Sequence, residues 1–122
     1  MQVQKRRWDD VAIVDVFGSC LQQEAGGELR DAVLSLLYDG TRKLVINLGR
    51  VTHVDSAGLG RIVECRALVE RQGGTLKIAN LSKGVRDVLS ITKLVTVFDT
   101  YEHEDEALRS FTLSPLAESA SF

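Results

Sequence analysis

The fold is decided by the stretch Leu44-Val-Ile-Asn-Leu48 and by the segment that follows it, Val51-Thr-His-Val-Asp-Ser-Ala-Gly-Leu-Gly60. The first run is almost entirely apolar, which is typical of a strand buried inside a parallel sheet. The second segment begins as a short loop and enters a helical pattern that ends at Gly73-Gly74. We therefore predict a buried strand, a loop and a helix with Ser56 as its N-cap. A phosphate on Ser56 would lie at the positive end of the helix dipole.

The part of the chain before this stretch predicts two β segments and one helix. Val3 to Arg7 and Val11 to Phe17 are the β segments, and a turn at Trp8-Asp9-Asp10 separates them. They favour an antiparallel hairpin or an antiparallel edge. From Ala25 the apolar residues follow one helical stripe, and Asp39-Gly40 is a typical helix end.

The part after the stretch continues the alternation of strands and helices. We predict strands at Thr75 to Ala79 and Leu94 to Phe98, a short helix capped by Ser82, and a last helix from about Glu102 to Phe111. In the helix after Ser56 the apolar pattern is blurred, so its buried side stays open, although Leu59, Ile62, Val63 and Val69 point to one side. The order β-β-α-β-α-β-α-β-α indicates an α/β fold with a mostly parallel, mixed sheet, right-handed βα crossovers and about four helices.

Composition limits the kinds of partner. The chain has 122 residues, 44% of them hydrophobic and 26% charged, with a net charge of −2. This length suits one domain, residues 1–122, with a flexible tail from about 113 to 122. Lys and Arg are scattered, which argues against direct nucleic-acid binding. We find no apolar run of the ~20 residues that a membrane helix needs, and we expect a cytoplasmic protein that does not bind a membrane.

The motif residues resemble a known family. Asp55-Ser-Ala-Gly-Leu-Gly60 after Val45-Ile-Asn-Leu48 is similar to the signature of STAS domains, and most closely to that of bacterial anti-sigma factor antagonists. The turn Gly73-Gly-Thr-Leu76 and the segment from Leu81 to Phe98 are also like the family pattern. The resemblance covers roughly residues 3 to 112.

The resemblance implies partner switching without catalysis or cofactors. In that scheme the unmodified protein binds an anti-sigma factor that is also a serine kinase. Phosphorylation of Ser56 would break the complex, and a PP2C-type phosphatase would restore it. The implied partner-binding residues are Asp55, Ser56, Ala57, Gly58, Leu59 and Gly60, with Leu59 offering an apolar contact. The alternative is a STAS scaffold that is not phosphorylated, or a subunit of a larger signalling or lipid-transport assembly.

The chain departs from the family pattern at two places. The family often has an Asp in the loop after its second strand, where this chain has Gln22, Gln23 and Glu24. That difference leaves the details of kinase recognition and of any nucleotide contact open. The second serine of the common motif is Ala57, so Ser56 is the only hydroxyl in the hexapeptide. The sequence leaves the oligomeric state and the identity of the sigma factor, kinase and phosphatase undetermined.

The sequence also has residues that could take part in nucleophilic catalysis or metal binding. His53, Asp55 and Ser56 suggest a nucleophile-base-acid trio, but the Gly-x-Ser-x-Gly nucleophile elbow is missing. We therefore predict no catalytic residue and no metal site. Cys20 and Cys65 lack metal-ligand spacing and predict reduced thiols, with Cys65 as a small core residue, although their number leaves one disulfide open.

Overall fold

The computed structural model describes residues 2–17, 20–21, 23–51, 53–93 and 98–111. This part of the chain forms a five-stranded mixed sheet, a two-stranded ribbon and four helices. The strands are β1 (Gln2–Trp8), β2 (Val11–Phe17), β3 (Cys20–Leu21), β4 (Lys43–Arg50), β5 (His53–Val54), β6 (Thr75–Ala79) and β7 (Asp99–Tyr101). The helices are α1 (Gln23–Tyr38), α2 (Ser56–Arg71), α3 (Lys83–Ile91) and α4 (104–111).

The five-stranded sheet has the order β1-β2-β4-β6-β7. The predicted hairpin is confirmed, because β1 pairs antiparallel with β2 through a turn at Asp9-Asp10, where Asp9 has a φ of 56°. The other three pairings are parallel. The continuous apolar run Leu44–Leu48 lies in β4, which has a neighbour on both sides, as its composition predicts.

Helices cover both faces of the sheet. On one face, α1, α2 and α3 enclose the larger core, which includes Val14, Leu29, Ile46, Ile62 and Leu89. On the other face, α4 covers a smaller core at one end of the sheet. Its members come from β2, β4, β6 and α4: Val11, Ile13, Val45, Ala79, Ala107, Leu108 and Phe111. The alternation of strand residues between the two clusters follows from the period of two in a β-strand.

A buried lysine helps to hold α4 in place. Lys77 on β6 is only 7% exposed. Its Nζ donates to Ser110 Oγ at 2.6 Å and lies 4.3 Å from the centre of the Phe111 ring. The Tyr101 hydroxyl is 3.5 Å away. The Lys77 ammonium is thus stabilised by the Ser110 hydroxyl and by cation–π contacts with the rings of Phe111 and Tyr101.

Several sequence predictions need correction at the ends of elements. Of the predicted strand Leu94–Phe98, residues 94–97 lie outside the described part, and Phe98 is buried but outside a strand. The strand that is described comes immediately afterwards, at Asp99–Tyr101. The last helix begins at 104 instead of Glu102. The predicted tail, 113–122, also lies outside the described residues.

The buried side of α2 is settled by the structure. Leu59, Ile62, Cys65 and Val69 are buried, whereas Val63 is 38% exposed. The question that the sequence left open is thus answered: Val63 lies outside the core, and Cys65 lies in it together with Ile62 and Val69. Among the described helices, we find none with the length and apolar character required to traverse a bilayer.

Candidate partner-binding site around Ser56

The segment that leads to Ser56 is anchored at Val51, directly after β4. The Val51 side chain is fully buried, and its N–H donates to Leu48 O at 3.0 Å. Its carbonyl accepts a hydrogen bond from the Ser82 hydroxyl at 2.8 Å. Further along, Val54 is buried and belongs to the main core. The backbone on the N-terminal side of Ser56 is therefore fixed by burial and by hydrogen bonds at two separate points.

Asp55 caps α2, and Ser56 is the first helical residue. Asp55 has extended backbone angles, and its carboxylate accepts the Gly58 N–H at 2.7 Å. Its carbonyl accepts the Leu59 N–H at 2.9 Å. The prediction that Ser56 is the N-cap is thus wrong by one residue. Aspartate is as good a cap as serine, and here the carboxylate reaches the third residue of the helix, while Ser56 is an exposed residue.

The hexapeptide divides into exposed and buried residues. Asp55, Ser56 and Gly60 are exposed, whereas Gly58 is buried and Leu59 is only 7% exposed. The expectation that Leu59 offers an apolar contact is wrong, because its side chain packs in the main core. Ala57 lies in α2, and its side chain is outside the described part. The exposed surface of the motif is accordingly formed by Asp55 and Ser56 at the start of α2 and by Gly60 on its exposed side.

A short ribbon brings a second loop next to the motif. β3 pairs in parallel with β5, with Cys20 opposite His53 and Leu21 opposite Val54. The loop after β2, where the family often has an Asp, therefore runs beside the residues just before Ser56. Gln22 lies outside the described residues, and Gln23 begins α1. Two-residue strands carry no periodic signal, so sequence patterns did not predict this ribbon.

The charged residues nearest along α2 are already paired. Glu64 accepts from Arg61 at 3.0 Å within α2 and from Arg30 of α1 at 3.1 Å. The hydrogen bond from Arg61, followed by the charge of Arg30, holds the pKa of Glu64 below its usual value. These ion pairs are partly solvated and contribute little to stability. They do make the guanidinium groups less available to a new anion.

The residues weighed for other chemistry are placed differently. The backbone of His53 lies in β5, and its side chain is outside the described part. Cys65 is a free, fully buried thiol, and burial raises its pKa to about 12, as expected for a small core residue. Within the described residues, we find no group of three or more His, Cys, Asp or Glu side chains suited to a metal ion.

With this geometry established, the chain was compared with known proteins. The STAS domain family matches residues 2–107. The chain belongs to the STAS domain family. It is 29% identical over 97 residues to BtrV of Bordetella bronchiseptica, named as a candidate anti-sigma factor antagonist, with 76% of this chain and 84% of the relative covered. It is 38% identical over 71 residues to the anti-sigma-B factor antagonist of Bacillus subtilis, covering 58% of this chain and 64% of that protein.

A solved structure supports the same assignment. A crystal structure of a candidate anti-sigma factor antagonist from Thermotoga maritima has a TM-score of 0.78 and 26% identity to this STAS domain. The match covers 88% of this chain and 92% of the other. The resemblance in the Asp55–Gly60 motif is thus accompanied by agreement in fold across almost the whole STAS domain.

The STAS domain also has a polar network that sequence reasoning missed, on the sheet face opposite α2. Arg6 of β1 donates to Asp15 of β2 at 2.5 and 2.8 Å and to Glu104 of α4 at 2.5 and 3.3 Å. The hydrogen bond to Asp15 and then that to Glu104 raise the pKa of Arg6 above its ordinary value. Asn47 Nδ2 donates to Glu104 at 2.8 Å. The hairpin register pairs Gln4 with Asp15 and Arg6 with Ile13, which places the side chains of Arg6 and Asp15 on the same face of the sheet.

Proposed function

We propose that this STAS domain is an anti-sigma factor antagonist whose binding to a serine-kinase anti-sigma factor is controlled by phosphorylation of Ser56. In this scheme the protein is a binding module, and a PP2C-type phosphatase removes the phosphate. The relatives named as anti-sigma factor antagonists support the role. The observation that carries the switch is that Ser56 is an exposed residue at the first position of a firmly anchored helix.

The capping arrangement gives a physical reason for the switch. A phosphoserine carries about −1.5 to −2 charges at pH 7. The helix dipole would attract such a group, but Asp55 already supplies a negative charge to the same helix end. A phosphate on Ser56 would therefore lie next to the Asp55 carboxylate, at a helix N-terminus whose partial positive charge Asp55 already neutralises in part. Arg61 could compensate the phosphate only by leaving Glu64, its present partner.

Phosphorylation of Ser56 would lower the affinity for the partner, because the added charge would lie in the interface. The exposed side of α2 near Ser56 presents Gly60 and the partly exposed Val63, so an unmodified surface allows close packing. Burying an unpaired charge in such an interface costs several kcal/mol. A loss of about 3 kcal/mol reduces affinity by a factor on the order of 100. Such a loss of affinity suffices for a switch. Phosphorylation would not need to change the backbone that is anchored at Val51 and Asp55.

The test uses the full chain, a purified kinase-type anti-sigma factor and ATP with Mg²⁺. Intact mass should show one added phosphate on the wild type and none on Ser56→Ala. In a binding titration, Ser56→Asp should weaken association at least tenfold, and Ser56→Ala should bind as tightly as the unmodified protein. Circular dichroism should be the same for both variants.

A matched control separates the site from a general effect of charge. Ser35 is exposed on α1, near the end of that helix, and its hydroxyl accepts from Lys5. Helices of parallel βαβ units begin at the carboxyl edge of the sheet and return to the other edge, so Ser35 lies away from Ser56. Ser35→Asp should bind the partner like the wild type. Equal affinity of Ser56→Asp and wild type, or no phosphate on the wild type, would instead favour a scaffold that is not switched.

A further inference from the structure

The Ser82 hydroxyl connects α3 to the segment that carries Ser56. As the N-cap of α3, its Oγ accepts the Val85 N–H at 3.4 Å. The same oxygen donates its proton to the Val51 carbonyl at 2.8 Å. The second hydrogen bond is the shorter one, and it joins residues that are 31 positions apart in the chain. A single side chain therefore caps one helix and fixes the start of the segment before another.

The described residues show how the segment from Val51 to Asp55 is attached to its surroundings. The N–H of Val51 bonds to Leu48, which belongs to the same strand end. The carbonyl of Val51 is held by Ser82, and α3 also contacts β5, the two-residue strand just before Asp55. Val85 of α3 and Val54 of β5 lie in the same core. The position of α3 and the conformation of residues 51–55 are consequently linked by the hydrogen bond from Ser82 to Val51 and by apolar contacts in the shared core.

We propose that Ser82 is a positioning residue for the Ser56 site, so that the α3 N-terminus sets how rapidly the Ser56 hydroxyl is phosphorylated. This proposal rests on the function proposed above. Phosphoryl transfer depends on holding the attacking hydroxyl in line with the nucleotide, and small displacements of a reacting group reduce rates strongly. Loss of the bond to Val51 frees a carbonyl five residues before that hydroxyl. We expect the rate to fall by a factor on the order of five, the size of the change that one lost hydrogen bond causes in the equilibrium between the held and the released segment.

Three substitutions at Ser82 separate its two roles. Ser82→Thr keeps a donor for Val51 and an acceptor for Val85. Ser82→Asp keeps the acceptor, and with it the cap, but an ionised carboxylate has no proton to donate. Ser82→Ala removes both functions. Thr92→Val is the matched control at the other end of α3, because Thr92 Oγ1 donates to Val88 O and, among the contacts of the described residues, makes none with the Ser56 segment.

Two measurements are made on the full chain well below its unfolding temperature. The first is kcat/KM for phosphorylation by the kinase-type anti-sigma factor. Ser82→Asp and Ser82→Ala should lower it about fivefold, whereas Ser82→Thr and Thr92→Val should match the wild type. The second is amide hydrogen exchange without kinase. Val54 and Asp55 should exchange about fivefold faster in the Asp and Ala variants, and the amides of 85–89 should exchange faster only in Ser82→Ala.

The outcomes distinguish this proposal from the proposed function. If Ser82→Asp behaves like the wild type in both measurements while Ser82→Ala is impaired, capping explains the effect and the positioning role is refuted. Unchanged behaviour of both variants refutes it as well. If the wild type gains no phosphate, the proposed switch fails, and the exchange data alone then decide whether Ser82 positions the segment.

Discussion

The Asp55 carboxylate caps α2 by accepting the Gly58 N–H at 2.7 Å, and the neighbouring Ser56 is an exposed residue that does not serve as the cap. The structural role and the proposed regulatory role thus belong to adjacent residues. A residue that caps a helix through its own oxygen would lose that bond or change it when modified. Because Ser56 is not the cap, a phosphate can be added or removed while the helix end keeps its hydrogen bond.

The separation of these roles predicts different stability effects at the two positions. Asp55→Ala should lower the free energy of unfolding by about 1 kcal/mol, the usual value of an N-cap. Asp55→Asn should cost less, because the amide oxygen can still accept the Gly58 N–H. Ser56→Ala should leave the unfolding midpoint in urea nearly unchanged. The assignment of the cap would be wrong if Ser56→Ala destabilised the protein as much as Asp55→Ala.

Two glycines of the α2 region should respond in opposite ways to substitution by alanine. A Cβ at Gly74 would lie 2.6 Å from Arg42 O and 2.9 Å from Val69 Cγ1, so Gly74→Ala should destabilise the protein by about 1–3 kcal/mol. A Cβ at Gly60 would meet nothing within 4 Å, and this residue lies inside a helix. Gly60→Ala should stabilise the protein by roughly 0.5–1 kcal/mol. Thermal unfolding of both variants checks the signs.

Gly60→Ala also tests the docking surface. Because the substitution should not harm the fold, any loss of partner affinity reports contact at this position. We expect weaker binding to the anti-sigma factor in a titration, with the exposed position Ser35→Ala as the reference. Unchanged affinity would place the partner on the Ser56 end of α2 without contact at Gly60.

The sequence predicted the elements that carry a clear periodic signal. β2 and β6 have the bounds expected from their apolar runs, and Ser82 caps α3 as its position before the stripe of Val85 and Leu89 indicates. These features depend on local chemistry, namely side-chain period and hydrogen-bonding capacity near a helix end. Local rules also predicted the strand, the loop and the helix around Ser56, because these elements are consecutive in the chain.

What the sequence did not predict depends on contacts between distant residues. In α2, Cys65 is buried and Val63 is exposed. Which of the two is buried depends on the elements that pack against α2, and the polarity of the side chains alone does not predict it. The hydrogen bond from Ser82 to Val51 and the network of Arg6 and Glu104 join residues from separate elements. The distance along the chain between such partners follows no regular spacing, so these hydrogen bonds can be recognised only in the folded structure.

Cys65 should be chemically inert in the folded protein. Its thiol is fully buried and its pKa is raised to about 12, while the thiolate is the reactive form. In a Cys20→Ser background, alkylation by iodoacetamide at pH 8 should be limited by unfolding and should become rapid in denaturant. Intact mass follows the reaction. Alkylation of the folded protein at the rate of an exposed cysteine would contradict the burial of this thiol.

The same pKa shift predicts a loss of stability in alkaline solution. The folded state keeps the Cys65 proton up to a pKa of about 12, whereas the unfolded thiol releases it near its ordinary value of 9.0. The unfolded state therefore binds fewer protons above pH 9, and the stability falls as the pH rises from about 9 to 12. Cys65→Ala should be less stable at pH 7 because of the smaller side chain, but its stability should decline less between pH 9 and 11. Urea unfolding at several pH values checks the slope.

Glu104 should control the attachment of α4 to the sheet. Its carboxylate accepts from Arg6 and from Asn47, whereas Asp105, one residue later, pairs only with Arg109 on the same helix among the contacts that the structure describes. Glu104→Ala should cost on the order of 1 kcal/mol, since it leaves the part-buried Asn47 amide without its acceptor and Asp15 still compensates Arg6. Asp105→Ala removes an exposed i,i+4 pair worth about 0.3–0.5 kcal/mol. In hydrogen exchange, the amides of 107–111 should open faster in Glu104→Ala while those of β4 stay protected. Similar exchange in the two variants would mean that the apolar contacts of Ala107, Leu108 and Phe111 hold α4 without help from this network.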